Sequence, residues 1–216
     1  MSMRKLIVVA LFLLPLSAAA QNVLWTALTE GNAAYVKGDA DFPRLPPTRM
    51  TWAASQAPPF SILSCSDSRV PAELIFVRTV GELFVVRVAG NTPGTFDIAS
   101  LQYAVANKWT RLIVVMAHSD CGAVKAAMAK DDSGLTDQLK ALVKQIRDSG
   151  IERSDKPTPE QLRAAAEKNA KYAAGLVARS PVIKEALAAG TVKIIIAYYD
   201  VASGKAEQIS EITSAE

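Results

Sequence analysis

Four short stretches of the chain are apolar at nearly every position: residues 60–64 (FSILS), 83–89 (LFVVRVA), 112–117 (LIVVMA) and 193–199 (KIIIAYY). Runs of this length, without the 3.6-residue period of a helix, predict strands. Because they are apolar on both faces, they predict a sheet covered on both sides, as parallel sheets are. Residues 95–107 (TFDIASLQYAVAN) change to helical spacing at Phe96, Ile98, Leu101, Tyr103 and Val105. The second and third strands thus bracket a helix, a βαβ unit with an expected right-handed crossover. Residues 132–190 are helical and more polar. Thr158-Pro159-Glu160-Gln161 combines an N-cap, a proline at the first helical position and a glutamine that closes a capping box. That helix is expected to run to Arg179, where Ser180-Pro181 breaks it, and a shorter one to end at Gly190. The fold class read from this pattern is α/β, a mainly parallel sheet of about four to five strands flanked by helices.

The beginning of the chain follows another pattern. Arg4 and Lys5 precede an apolar segment at 6–16, and Ala18-Ala19-Ala20 supplies small residues before Gln21. This is the layout of a secretory signal, too short for a comfortable membrane span. No cysteine follows it to carry a lipid. Residues 23–37 predict a helix with Leu24, Leu28 and Tyr35 available to one face. Five of the eleven prolines then fall within 43–59 and mark a connector. The expected organisation is a signal peptide at 1–20, an N-terminal helix and proline-rich connector at 21–59, and a single α/β domain at 60–216. The expected location is outside the cytoplasm, most simply the periplasm, with no membrane attachment after cleavage.

Charge adds little. Loss of Arg4 and Lys5 takes the net charge from +3 to +1, with no concentrated basic face to bind nucleic acid. The scarce residues say more: the chain has two cysteines, Cys65 and Cys121, and one histidine, His118. In an exported protein two cysteines first imply a disulfide. The strand pattern offers a second reading. Strand 60–64 runs into Cys65-Ser66-Asp67-Ser68-Arg69, and strand 112–117 into His118-Ser119-Asp120-Cys121. Sites in open α/β sheets form at the carboxyl ends of strands, so all three residues would meet on one rim. Two thiolates and an imidazole suit zinc, and three protein ligands leave a fourth position open.

The stretch Cys65-Ser66-Asp67-Ser68-Arg69-Val70-Pro71, followed by His118-Ser119-Asp120-Cys121-Gly122-Ala123-Val124, resembles the β-class carbonic anhydrases. The resemblance extends through LFVVRVAGN at 83–91 and AYYDVASGK at 197–205. It implies that Cys65, His118 and Cys121 are zinc ligands and that Asp67 and Arg69 form the family's Asp–Arg dyad. It also implies reversible hydration of carbon dioxide to bicarbonate and a proton by hydroxide generated at zinc. Zinc lowers the pKa of bound water from about 15.7 towards 7, and two thiolates should acidify it less than three histidines do. In that reading Arg69 holds Asp67 off the metal. If the pair opens, Asp67 becomes the fourth ligand, as in the family's second type. The resemblance further implies an N-terminal helix packed on a partner subunit, hence a homodimer or higher homo-oligomer.

Two departures stand out. Ala117 occupies a position where glycine is usual, and Phe76-Val77-Arg78-Thr79-Val80-Gly81 stands where many members have Phe-Asp-Gln-Gly-Leu-Gly. Arg78 or Thr79 is the available replacement for the polar pocket residue. The histidine being spent on metal, proton transfer falls to buffer. Alternatives are the same fold acting on carbon disulfide or carbonyl sulfide, and a non-catalytic exported protein with bound zinc or a Cys65–Cys121 disulfide. Zinc deaminases need a different motif and zinc dehydrogenases a G-x-G-x-x-G fingerprint, which is missing.

Overall fold

The computed structural model describes residues 18–40 and 53–214. Its sheet has five strands in the order β2-β1-β3-β4-β5. These are β1 Phe60–Ser64, β2 Leu83–Arg87, β3 Leu112–His118, β4 Lys193–Tyr199 and β5 Ala206–Ile212. The first four are parallel, and β5 runs antiparallel to β4 with a register shift at Ile196/Ala197. All four apolar runs become strands, β1, β3 and β4 buried at every position and β2, at the sheet edge, only partly buried. Edge strand β5 was not among the runs because its sequence, AEQISEI, is mostly polar.

Alternation along the strands feeds two cores. Leu63, Ile113, Val115, Ile194 and Ile196 face one side, Ile62, Val114, Met116 and Ile195 the other. Among the described residues these faces are covered by α1 Ala18–Lys37, α2 Ala72–Ile75, α3 Thr95–Ala106, α4 Gly122–Met128, α5 Asp137–Arg147, α6 Pro159–Ala178 and α7 Pro181–Ala188, with a 3₁₀ turn at Ala89–Asn91. The crossover from β2 through α3 to β3 passes β1, which lies between the two strands. Helix α6 starts as its sequence predicts: Thr158 Oγ1 accepts from the Gln161 amide at 3.3 Å, and Gln161 Oε1 accepts from the Thr158 amide at 2.9 Å. Its buried stripe of Ala165, Ala166, Ala170, Ala173 and Ala174 is small enough to seat the helix closely on the sheet.

The signal segment at 1–17 and most of the proline connector lie outside the described residues. Helix α1 begins at Ala18, ahead of the expected cleavage point, and is not detached from the body. Leu28 is fully buried, and Asn32 donates to the carbonyls of Ile75 (3.1 Å) and Gly204 (2.8 Å) while accepting from the Ala206 amide at 2.8 Å. The inner face of α1 is therefore held by its own chain, and the outer face, with Val23 and Val36 exposed, is what remains for a partner. Among the described residues no helix is long and apolar enough to cross a membrane.

Candidate metal centre

Strands β1 and β3 are hydrogen-bonded neighbours, with Ser64 opposite Met116. The chain leaving β1 at Cys65 is therefore level with the end of β3, where His118 is the last strand residue. Cys121 follows as the N-cap of α4. Between them Asp120 adopts the left-handed conformation, φ 58°, which turns the chain so that residues on either side reach one point. Cys65 Sγ, Cys121 Sγ and a ring nitrogen of His118 all lie within 4.8 Å of one another, and all three residues are buried. Both cysteines are free thiols, so the disulfide is not formed.

The polar groups around this triad fit a metal. His118 Nδ1 is 2.9 Å from the Ser119 carbonyl, which can only accept, so Nδ1 carries the proton. Nε2 is then left with its lone pair, buried and without a hydrogen-bond partner. An orphan of this kind is costly in a folded interior and is satisfied by an ion. Cys65 Sγ accepts from the amides of Gly90 (3.2 Å) and Asp67 (3.4 Å). Donation from the Cys121 thiol lowers the Cys65 pKa against the opposing effect of burial, and the two amides lower it further. Cys121, which keeps the proton between the sulfurs, is pushed up. A divalent ion in place of that proton stabilises both thiolates together. Two sulfurs, one imidazole and a free fourth position match zinc.

Asp67 and Arg69 sit beside this group. Arg69 Nε donates to Asp67 Oδ1 at 2.9 Å and Nη2 to Oδ2 at 2.7 Å; the Arg69 amide adds a bond to Oδ1 at 3.0 Å. The guanidinium holds the Asp67 carboxyl well below the usual carboxylate range. Asp67 Oδ2 stands 3.9 Å from His118 Nε2. Two light-atom ligands of one tetrahedral zinc lie about 3.4 Å apart when each bond is about 2.05 Å. Asp67 is thus close to the three candidate ligands while bonded to Arg69.

Several supporting residues were not singled out in the sequence. Arg87, at the end of β2, donates to the carbonyls of Cys65 (3.2 Å) and Asp67 (2.6 Å) and fixes the loop that carries both. Its signal was a charge at the end of an apolar run. Gly90 has φ 66°, and a Cβ there would lie 2.9 Å from Ile146 Cδ1, so the amide that bonds Cys65 needs glycine. Asn169 Nδ2 bonds the Gly90 carbonyl at 2.6 Å; its signal was a polar side chain within the alanine stripe of α6. Asp120 pairs with Lys125, which lowers its pKa. Arg78 does not replace the missing pocket residue within its own chain. It binds the Ala27 carbonyl and lies over the Phe60 ring, at the opposite end of β1 from Cys65. The Thr79 amide is tied to Glu82 at 2.7 Å.

The family model for carbonic anhydrase matches residues 60–206, a span containing every residue of this centre. The chain belongs to the carbonic anhydrase family. A carbonic anhydrase of Mycolicibacterium smegmatis is 33% identical over 198 residues, covering 87% of this chain and 93% of the relative. Carbonic anhydrase 2 of Mycobacterium tuberculosis is 34% identical over 192 residues, covering 84% and 89%. A tetrameric β-carbonic anhydrase of Sordaria macrospora superimposes with a TM-score of 0.67 at 24% identity, covering 88% of this chain and 98% of that one. Membership of the β-class makes this a zinc enzyme, a lyase that hydrates carbon dioxide reversibly.

Proposed function

We propose that Cys65, His118 and Cys121 hold the zinc and that Asp67 and Arg69 complete the site for carbon dioxide hydration. The observation that carries this reading is the buried, unpartnered Nε2 of His118 beside two free thiols. Zinc, when bound by these residues, acidifies water and supplies hydroxide near neutral pH. The remaining work falls to the chain. The Ser119 carbonyl fixes the His118 tautomer, and the Gly90 and Asp67 amides support the Cys65 thiolate. Asp67, ionised throughout the neutral range, accepts a hydrogen bond from the attacking oxygen and turns a lone pair towards carbon. Arg69 keeps Asp67 in that role. With Arg69 released, Asp67 would be free to offer its carboxylate as a further ligand and so close the site. Stopped-flow carbon dioxide hydration by zinc-loaded protein, with Cys65→Ala as control, tests the assignment. Turnover should depend on Cys65 and fall in Asp67→Ala while that variant keeps its zinc. Full turnover in Asp67→Ala would remove Asp67 from the mechanism.

The reading extends to assembly and location. The chain forms at least a homodimer, in line with the tetrameric Sordaria relative and with Val23 and Val36 exposed on α1. It is exported, with residues 1–20 removed, as the basic, apolar and small-residue layout of that segment implies. A monomer mass independent of concentration would refute the first statement, and an intact N-terminus on the protein recovered from its host the second.

A further inference from the structure

Arg69 does not face Asp67 alone. Its Nη2 also lies 3.4 Å from the main-chain carbonyl of Asp120, and its Nη1 lies 3.8 Å from Asp120 Oδ2. Asp120 is in turn anchored by Lys125, one turn into α4. Asp120 also holds a left-handed backbone, the conformation that glycine adopts at least cost. Aspartate tolerates that conformation, and here its carboxylate bridges two cations. The Asp67–Arg69 pair, though bidentate, is partly open to solvent on the Arg69 side, 45% exposed. A guanidinium open to solvent on one side can turn away from its partner, and a group on that side biases its orientation.

We propose that Asp120 is a positioning residue for the Asp67–Arg69 gate. Its carbonyl and carboxylate hold the guanidinium in the orientation that grips Asp67, so the turn joining His118 to Cys121 also controls access to the fourth position on the metal. This rests on the roles proposed above for Asp67 and Arg69, and it adds a residue to them. Asp120 is not among the three candidate metal ligands and acts through Arg69.

The test uses cobalt(II)-substituted protein at one fixed neutral pH, with azide binding followed in the visible absorption of the metal. Asp120→Asn keeps the size of the side chain and tolerates left-handed backbone; Asp120→Gly gives the same backbone without any side chain. By simple electrostatics, removing a negative charge near the metal should tighten azide binding. The gate demands the opposite: looser Arg69, more Asp67 on the metal, and azide binding weakened about two- to fivefold, the range of one exposed ion pair. In an Asp67→Ala background the same substitution should no longer weaken azide. Arg69→Ala is the reference and should weaken azide more than Asp120→Asn does, with recovery in Arg69→Ala/Asp67→Ala. If Arg69→Ala has no such effect, the gate itself is wrong. If Arg69→Ala behaves as expected while both Asp120 variants bind azide as well as the parent, or weaken it equally without Asp67, the role of Asp120 is overturned and the gate stands.

Discussion

Asn169 donates its side-chain amide to the carbonyl of Gly90 at 2.6 Å, across 79 positions of sequence. The Gly90 amide in turn reaches Cys65 Sγ at 3.2 Å. Helix α6 therefore supports a ligand through a single residue, Gly90. Asn169→Ala removes one of the two donors to the buried Gly90 carbonyl, Thr92 Oγ1 at 3.0 Å remaining, which costs about 0.5–1.5 kcal/mol. Zinc affinity should fall about tenfold, the lower end for outer-shell partners, since Asn169 acts one group removed from the ligand. Chelator competition measures the second effect and denaturant unfolding the first. Unchanged zinc affinity alongside reduced stability would confine Asn169 to packing.

Gly31 brings α1 against the loop after α2. A Cβ at this position would stand 1.9 Å from the Phe76 carbonyl oxygen, a backbone atom with no freedom to turn away. Gly31→Ala must displace the helix, strain Asn32 from its two carbonyl partners and cost about 1–3 kcal/mol in overpacking. Hydrogen exchange should show the loss concentrated in α1 and α2, with β3 protected. A variant as stable as the parent would mean that α1 is not docked on its own chain as described.

Lys193, 5% exposed at the start of β4, is paired with Glu211 Oε2 at 2.6 Å and with Asn22 Oδ1 at 3.2 Å. The Lys193 ammonium holds the Glu211 carboxyl below its ordinary value. A carboxyl depressed in the folded chain stabilises it fully above the unfolded value, about 4.3. That contribution is lost as the pH falls through the folded value, because the unfolded chain takes the proton more readily. Glu211→Gln should therefore lower the Tm of metal-free protein at neutral pH, and the gap should close on the acid limb. A gap constant through that limb would show that the charge of Glu211 contributes nothing.

The sequence revealed the centre of the sheet and the ligands for one physical reason. Buried parallel strands must be apolar throughout, and rare ligand types at their carboxyl ends stand out against that background. The 158–161 cap was equally visible because its hydrogen bonds are local. Edge strand β5 was not, since one side of it meets solvent and its composition resembles a loop. The partners of the centre were hidden for a different reason. Arg87, Gly90, Asp120 and Asn169 act through backbone carbonyls and amides brought together by the fold, and neither spacing nor composition announces such a bond. Even the residue types mislead: Arg78, a candidate for the pocket, is occupied with holding α1.

Strand β1 carries the first ligand at its end and is hydrogen-bonded between β2 and β3, one supplying Gly90 soon after it and the other ending in His118. Cys65 leaves the ribosome well before His118 and Cys121, and cannot meet them until β2, the crossover helix and β3 have closed around it. The three ligands thus stand together only in the finished sheet, so a chain that fails to pair β1 with β3 has no metal site to fill.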